Sequence, residues 1–83
     1  MMSKEVYFYM RPNCALCDEA EILLLTFQAL YDFEIVKKNI EDDPKLLDQY
    51  FLEIPVVRVN GEELTAKDLS AETLDQFIKE RIV

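Results

Sequence analysis

The sequence contains no histidine, one glycine and only two cysteines among its 83 residues. Without histidine, the chain cannot form the Ser-His or Cys-His pairs that activate many enzymatic nucleophiles. Two cysteines that lie three positions apart enclose too little chain to serve as a disulfide framework, so they indicate redox or metal chemistry instead. A structural zinc site needs a full tetrahedral set of Cys and His ligands, of which this chain supplies only two.

Basic residues and long apolar runs are also scarce. Nine Lys and Arg residues stand against 17 Asp and Glu residues, which gives a formal net charge of −8. Such a field repels phosphates, so neither nucleic acid nor an anionic membrane is expected as a partner. No apolar run approaches the length that spans a bilayer, and the segment 1–5 lacks the apolar core of a secretory signal. We therefore expect a cytoplasmic protein.

Apolar residues make up 51% of the chain, which is enough to build the core of a single domain covering 1–83. Their spacing, together with the turn-forming residues, predicts the order β-α-β-α-β-β-α. The predicted elements are strands at 5–10, 32–40, 56–59 and 62–65, and helices at 15–31, at 45–51 and from Ser70 onward. Asn60-Gly61 predicts a hairpin, and Asn13 is the predicted N-cap of the first helix. The apolar stripe of that helix, Leu16 and Leu30 included, is expected to face the core.

Cys14 and Cys17 follow an apolar strand and open the first helix. On a helix, residues three positions apart lie on one face, roughly 5–6 Å from each other, which suits a disulfide. Unpaired N–H groups at the helix N-terminus favour a thiolate at Cys14; Arg11 adds to this effect, and Asp18 and Glu19 oppose it. The pattern predicts dithiol chemistry, with Cys14 as the exposed nucleophile and Cys17 as the more buried resolving thiol.

Three segments stand in a fixed order along the chain. They are Phe8-Tyr9-Met10-Arg11-Pro12-Asn13-Cys14-Ala15-Leu16-Cys17, Glu53-Ile54-Pro55-Val56-Val57 and Val59-Asn60-Gly61-Glu62. With these segments the chain resembles the glutaredoxin branch of the thioredoxin-fold proteins over nearly its whole length. The resemblance implies an α/β thioredoxin fold with a four-stranded mixed sheet and three helices. It also implies that Pro55 is a cis-proline facing the cysteines, where its backbone would hydrogen-bond a thiol substrate.

The resemblance further implies a set of substrate-binding residues, namely Arg11, Ile54, Pro55 and Asp68, of which Asp68 would face the amino group of glutathione. The chain departs from the family at Ala15-Leu16, where typical glutaredoxins have Pro-Tyr, and at Glu53, where they have threonine. Glutathione carries two carboxylates, which the acidic Glu53 repels. Glutathione is therefore expected to be a poor co-substrate.

Taken together, the residues predict a thiol-disulfide oxidoreductase that holds no cofactor or metal. The protein is expected to act as a monomer on a protein or small-molecule thiol or disulfide. Two alternatives remain open. The first is a non-catalytic thioredoxin-like module that binds a protein partner. The second is a metal or iron-sulfur carrier whose site is shared across a dimer.

Overall fold

The fold is built around one mixed β-sheet, in a computed structural model that describes residues 4–82. In chain order the elements are β1 (Glu5–Met10), α1 (Ala15–Tyr31), β2 (Glu34–Asn39), α2 (Pro44–Tyr50), β3 (Val56–Val59), β4 (Glu62–Leu64) and α3 (Ala71–Arg81), with a 3-10 turn at Ile40–Asp42 before α2. The predicted order β-α-β-α-β-β-α and the four-stranded mixed sheet with three helices are confirmed. Residues 1–3 and 83 of the predicted single domain lie outside the described part.

The strand order is β2-β1-β3-β4, so the strand that leads to the cysteines lies inside the sheet. β1 runs parallel to β2 and antiparallel to β3, and β4 returns antiparallel along β3. The parallel pair needs a crossover, which α1 provides. None of the helices in residues 4–82 is long and apolar enough to cross a membrane.

Side chains alternate between the two faces of β1, and each face has its own core. Val6 and Phe8 point toward α1 and α3, where Leu24 and Ile78 are fully buried against them. Tyr9 points to the opposite face, where it forms a second core with Ile40, Val56 and Tyr50, the last residue of α2. Full burial of side chains of this size contributes about 1.5–3 kcal/mol each, so the two cores fix β1 and hence the start of α1.

Four local predictions are wrong: two concern the ends of elements, and two concern burial. Asn13 is not the N-cap of α1: it takes a left-handed φ of 58°, and Cys14 is the capping residue. Asp32 is not part of β2, because it is the C-cap of α1 with a φ of 56°. Leu16 and Leu30 are not core residues; they are 60% and 66% exposed. The two positive φ values occur at Asn13 and Asp32, and asparagine and aspartate are among the non-glycine residues that adopt positive φ most readily.

The predicted hairpin at Asn60-Gly61 is present between β3 and β4. Asn60 has a φ of 52° and Gly61 a φ of 83°, which is the pair of positive values that a tight type I′ turn requires. A Cβ atom at Gly61 would meet no other atom within 4 Å, so the constraint there is the backbone conformation and not lack of space.

Tyr50 is the last residue of α2. Its ring stacks on Tyr9 with a centroid distance of 4.6 Å, and its hydroxyl donates a hydrogen bond to Glu63. Burial, and then this hydrogen bond, raises the pKa of Tyr50 to about 12. In the unfolded chain the tyrosine hydroxyl ionises at about pH 10. The contribution of neutral Tyr50 to the free energy of unfolding is therefore fully present below pH 10 and is lost as the pH rises toward 12.

We expect the free energy of unfolding to fall less steeply between pH 10 and pH 12 in Tyr50→Phe than in the original protein, because phenylalanine cannot ionise. Urea titrations at intervals across this range measure the difference. Below pH 9 the variant should be less stable by about 0.5–1.5 kcal/mol, the usual net value of one hydrogen bond. Equal slopes for the two proteins above pH 10 would contradict the prediction.

Candidate active site

The turn between β1 and α1 places the first cysteine at a helix N-terminus. Asn13, with its left-handed backbone, redirects the chain from the end of β1, and Cys14 follows as the N-cap with an extended conformation. The Sγ atom of Cys14 accepts a hydrogen bond from the backbone N–H of Cys17 at 3.1 Å. The carbonyl of Cys14 accepts the first helical bond, from Asp18, at 3.0 Å. Cys14 sulfur therefore occupies the place of a capping oxygen, where an anion is stabilised.

The two cysteines form a pair with unequal access to solvent. Their Cα atoms are 5.2 Å apart, and their sulfur atoms lie within disulfide-bonding distance. Cys17 is 1% exposed and belongs to the core between the sheet and α1, whereas Cys14 is half-buried. The arrangement suits a pair in which Cys14 meets an incoming molecule and Cys17 reacts only with its neighbour.

The segment before β3 shares a core with the pair, because Ile54 and Cys14 both pack against the cluster that contains Cys17. Its Ile54–Pro55 peptide bond is cis, as the family resemblance implies. Ile54 packs against both cores, and the Ile54 N–H is bound to the carbonyl of Tyr50 at 3.1 Å. The Ala66 N–H binds the Glu53 carbonyl at 3.1 Å, which ties the chain after β4 to this segment. The position of Pro55 is thus fixed from both sides.

A groove of about 390 Å³ runs between α1, Pro55 and the loop that joins β4 to α3. Leu16, which is part of the cysteine loop, forms one wall of this groove with Ile22. Seven of its nine lining residues are apolar, and Glu19 is the only charged one among them. Neither cysteine lines the groove, which meets the cysteine loop at Leu16 and offers an apolar surface that carries one carboxylate.

The predicted substrate-binding residues are not all found at this groove. Pro55 lines it, and Ile54 precedes it in the chain, but Arg11 and Asp68 do not line it. Arg11 is exposed in the turn before Cys14. Asp68 is exposed as well, and its carbonyl accepts a hydrogen bond from Thr73 Oγ1 at 2.7 Å. The roles predicted for these four residues stay predictions.

The sequence reading missed the residues that form the groove. Ile22 was not singled out at all, Glu19 was noted only as a charge near the cysteines, and Ser70 was noted only as the start of the last helix, yet all three line the groove. The sequence did hold one signal for the groove: the helical spacing of Leu16, Glu19 and Leu23 puts them on one stripe of α1. What lies opposite that stripe depends on chain segments about 40 to 50 residues away, which the spacing does not reveal.

Metal ligands do not converge anywhere in residues 4–82: no group of three or more Cys, His, Asp or Glu side chains is placed to hold an ion. Cys14 and Cys17 offer a different kind of chemistry, because their sulfur atoms lie within disulfide-bonding distance of each other. Their sulfur atoms can carry two electrons between the dithiol and disulfide states.

The cysteine pair at the start of α1, the cis-proline before β3 and the sheet order define the thioredoxin-fold class. Thioredoxin 1 from Thermosipho africanus TCF52B shares this fold at a TM-score of 0.72, with 15% identity over 92% of this chain and 91% of that chain. Within the class, the chain belongs to the glutaredoxin-like domain (DUF836) family, whose model matches residues 5–79.

Two solved structures are similar in both sequence and fold. Protein XcR50 from X. campestris is 32% identical over 90% of this chain and 96% of that chain, at a TM-score of 0.76. Protein Ne2328 from Nitrosomonas europaea is 26% identical over 93% of each chain, at a TM-score of 0.73. No curated protein matches the chain.

Proposed function

We propose that this protein is a thiol-disulfide oxidoreductase that works through Cys14 and Cys17. The observation that carries the proposal is the unequal pair at the N-terminus of α1: a half-buried sulfur that caps the helix, and a second sulfur 1% exposed one turn further on. Membership of a glutaredoxin-like family supports the same chemistry. The reaction needs no resident cofactor, because the two sulfur atoms carry the electrons.

In the proposed reaction, the Cys14 thiolate attacks one sulfur of a substrate disulfide, and the other substrate sulfur leaves as a thiolate. A mixed disulfide now joins Cys14 to the substrate. The Cys17 thiol, after losing its proton, attacks the Cys14 sulfur and releases the second substrate thiolate. Two electrons and two protons have passed to the substrate, and the protein holds the Cys14–Cys17 disulfide. An external dithiol, or two monothiols in succession, restores the Cys14 and Cys17 thiols by the reverse steps and is itself oxidised to a disulfide.

The surroundings of the pair disfavour glutathione as that thiol. Leu16 stands where typical glutaredoxins have a tyrosine, and Glu19 lines the groove beside it. Glu53 is exposed immediately before Ile54-Pro55. These carboxylates repel the two carboxylates of glutathione, and the net charge of −8 adds to the effect. We therefore propose a protein or another dithiol as the exchange partner of a monomeric enzyme.

A redox titration tests the proposed function. The protein is equilibrated with buffers of varied reduced and oxidised glutathione, quenched, and its free thiols are counted by alkylation and intact mass. We expect one two-electron transition, from two free thiols to none, without a lasting glutathione adduct, because Cys17 displaces any adduct formed on Cys14.

Two other results would contradict the proposal. Thiols that stay reduced under all buffers, while remaining alkylatable in denaturant, indicate the non-catalytic binding module. A stable adduct of one glutathione per chain indicates that Cys17 does not resolve the mixed disulfide. The unfolded chain is the control, since its cysteines lack the geometry of the helix N-terminus.

A further inference from the structure

We infer that the groove beside the cysteine pair binds an extended polypeptide segment in which an apolar residue adjoins a basic one. The substrate would then be a disulfide of a positively charged protein. The inference rests on the proposed function, and it adds the substrate class to it. The observations that carry it are the exposed apolar residues of the groove and its single carboxylate.

Two large apolar side chains of α1 are left open to solvent at the groove. Leu16 is 60% exposed and Ile22 is 64% exposed, and both are lining residues. Leu16 lies between the two cysteines in the chain, so a side chain resting on it is held at the cysteine loop, although the cysteines themselves do not line the groove. Covering an apolar side chain of leucine size there would favour a substrate by roughly tenfold.

The one charged residue of the groove is a carboxylate without a cationic partner among the described contacts. Glu19 makes no ion pair or side-chain hydrogen bond within residues 4–82, whereas Glu21, on a different side of α1, is paired with Lys37 at 3.1 Å. A lysine or arginine of the bound segment can therefore reach Glu19 without displacing an existing partner. An exposed ion pair of this kind is worth a preference of about threefold.

Charge also decides between the possible occupants of the groove. A second copy of this chain brings another net charge of −8, so self-association through an acidic groove is disfavoured. Glutathione brings two carboxylates to the same carboxylate. A basic polypeptide is attracted by both Glu19 and the whole protein, and its apolar residues match the lining.

The test uses four short peptides, each with one intramolecular disulfide and a variable dipeptide beside it: Leu-Lys, Leu-Glu, Ser-Lys or Ser-Glu. Reduced protein and peptide are mixed, quenched with acid at intervals and separated by chromatography. The reaction balances without another reagent, because the protein dithiol becomes a disulfide as the peptide disulfide becomes a dithiol. We expect the Leu-Lys peptide to react roughly thirtyfold faster than the Ser-Glu peptide, which combines the two preferences above.

Matched variants assign each preference to its residue. Glu19→Lys should reverse the order of the Lys and Glu peptides, whereas Glu34→Lys should not. Glu34 gives the same change in net charge, but it opens β2, which is separated from β4 by β1 and β3. Ile22→Ser should remove most of the preference for leucine, whereas Leu25→Ser should not. Leu25 is 52% exposed on the same helix and does not line the groove.

Each outcome either supports the inference or overturns it. Equal rates for the four peptides, or equal effects of Glu19→Lys and Glu34→Lys, overturn the inference and leave the proposed function intact. A faster reaction with glutathione disulfide than with the Leu-Lys peptide overturns it in the same way. Failure to reduce any of these disulfides overturns both the inference and the proposed function. A lysine preference that disappears in high salt supports an electrostatic origin of that preference, which Glu19→Lys then assigns to Glu19.

Discussion

Replacing Cys14 by serine is expected to lower the rate of disulfide reduction by on the order of a thousandfold or more, to the level of the uncatalysed exchange. A serine hydroxyl is not ionised near neutral pH, and an oxygen in its place cannot form a mixed disulfide. Cys17 cannot take over the attack, because it is 1% exposed on the face of α1 that packs into the core. Reduction of a small disulfide by the protein with a dithiol as electron donor measures the loss.

The fold should survive this change, so the loss can be assigned to chemistry. Serine is among the preferred N-cap residues, and its oxygen can accept the Cys17 N–H that the sulfur accepts now. Urea unfolding of Cys14→Ser, with both proteins reduced, should therefore give a stability close to that of the original. Ala29→Ser, which adds a hydroxyl on an exposed part of α1, serves as the control for activity. Activity that persists in Cys14→Ser would assign the attack to another group.

The larger features of the fold could be predicted because each depends on short-range physics. The three- and four-residue spacing of apolar side chains marks α1 and α3, and Asn60-Gly61 supplies the positive φ values of the hairpin. The run from Val6 to Met10 lacks polar alternation, which is typical of a strand covered on both faces, and β1 is covered in this way. These patterns were confirmed because local preference and the final packing agree.

The details that the sequence did not reveal depend on contacts between distant segments. The apolar stripe of α1 is wider than the surface that the sheet and α3 cover, so Leu16 and Leu30 remain exposed. Spacing alone cannot measure how much of a stripe is covered. The stacking of Tyr9 on Tyr50 brings together residues 41 positions apart, and it had no sequence signal.

Some features of the candidate site could likewise be predicted from the sequence, and others could not. The cysteine pair could be predicted because the required distance is set within a single helical turn, and the cis bond at Pro55 could be predicted only through the family resemblance. The groove could not be predicted, since its walls come from α1, the chain before β3 and the loop after β4. The proposed specificity therefore depends on tertiary structure, whereas the cysteine pair is visible in the sequence.

The role proposed for Cys17 is to resolve the mixed disulfide, and Cys17→Ala isolates that step. In this variant Cys14 keeps its place at the helix N-terminus, so the first attack on a disulfide should proceed. The intramolecular displacement by Cys17 is lost. Held one turn away, that thiol has a high effective concentration, so we expect the mixed disulfide to last longer by on the order of a hundredfold or more.

Intact mass measurements after mixing with a substrate disulfide detect this adduct. The expected result is one substrate half per chain in Cys17→Ala and a transient trace in the original protein. Alanine is chosen because Cys17 lies in an apolar core, where a serine hydroxyl would be left without a partner. The small cavity that alanine leaves should cost about 1 kcal/mol, which urea unfolding checks independently. An equally short-lived adduct in both proteins would mean that an external thiol resolves it, and the role proposed for Cys17 would be wrong.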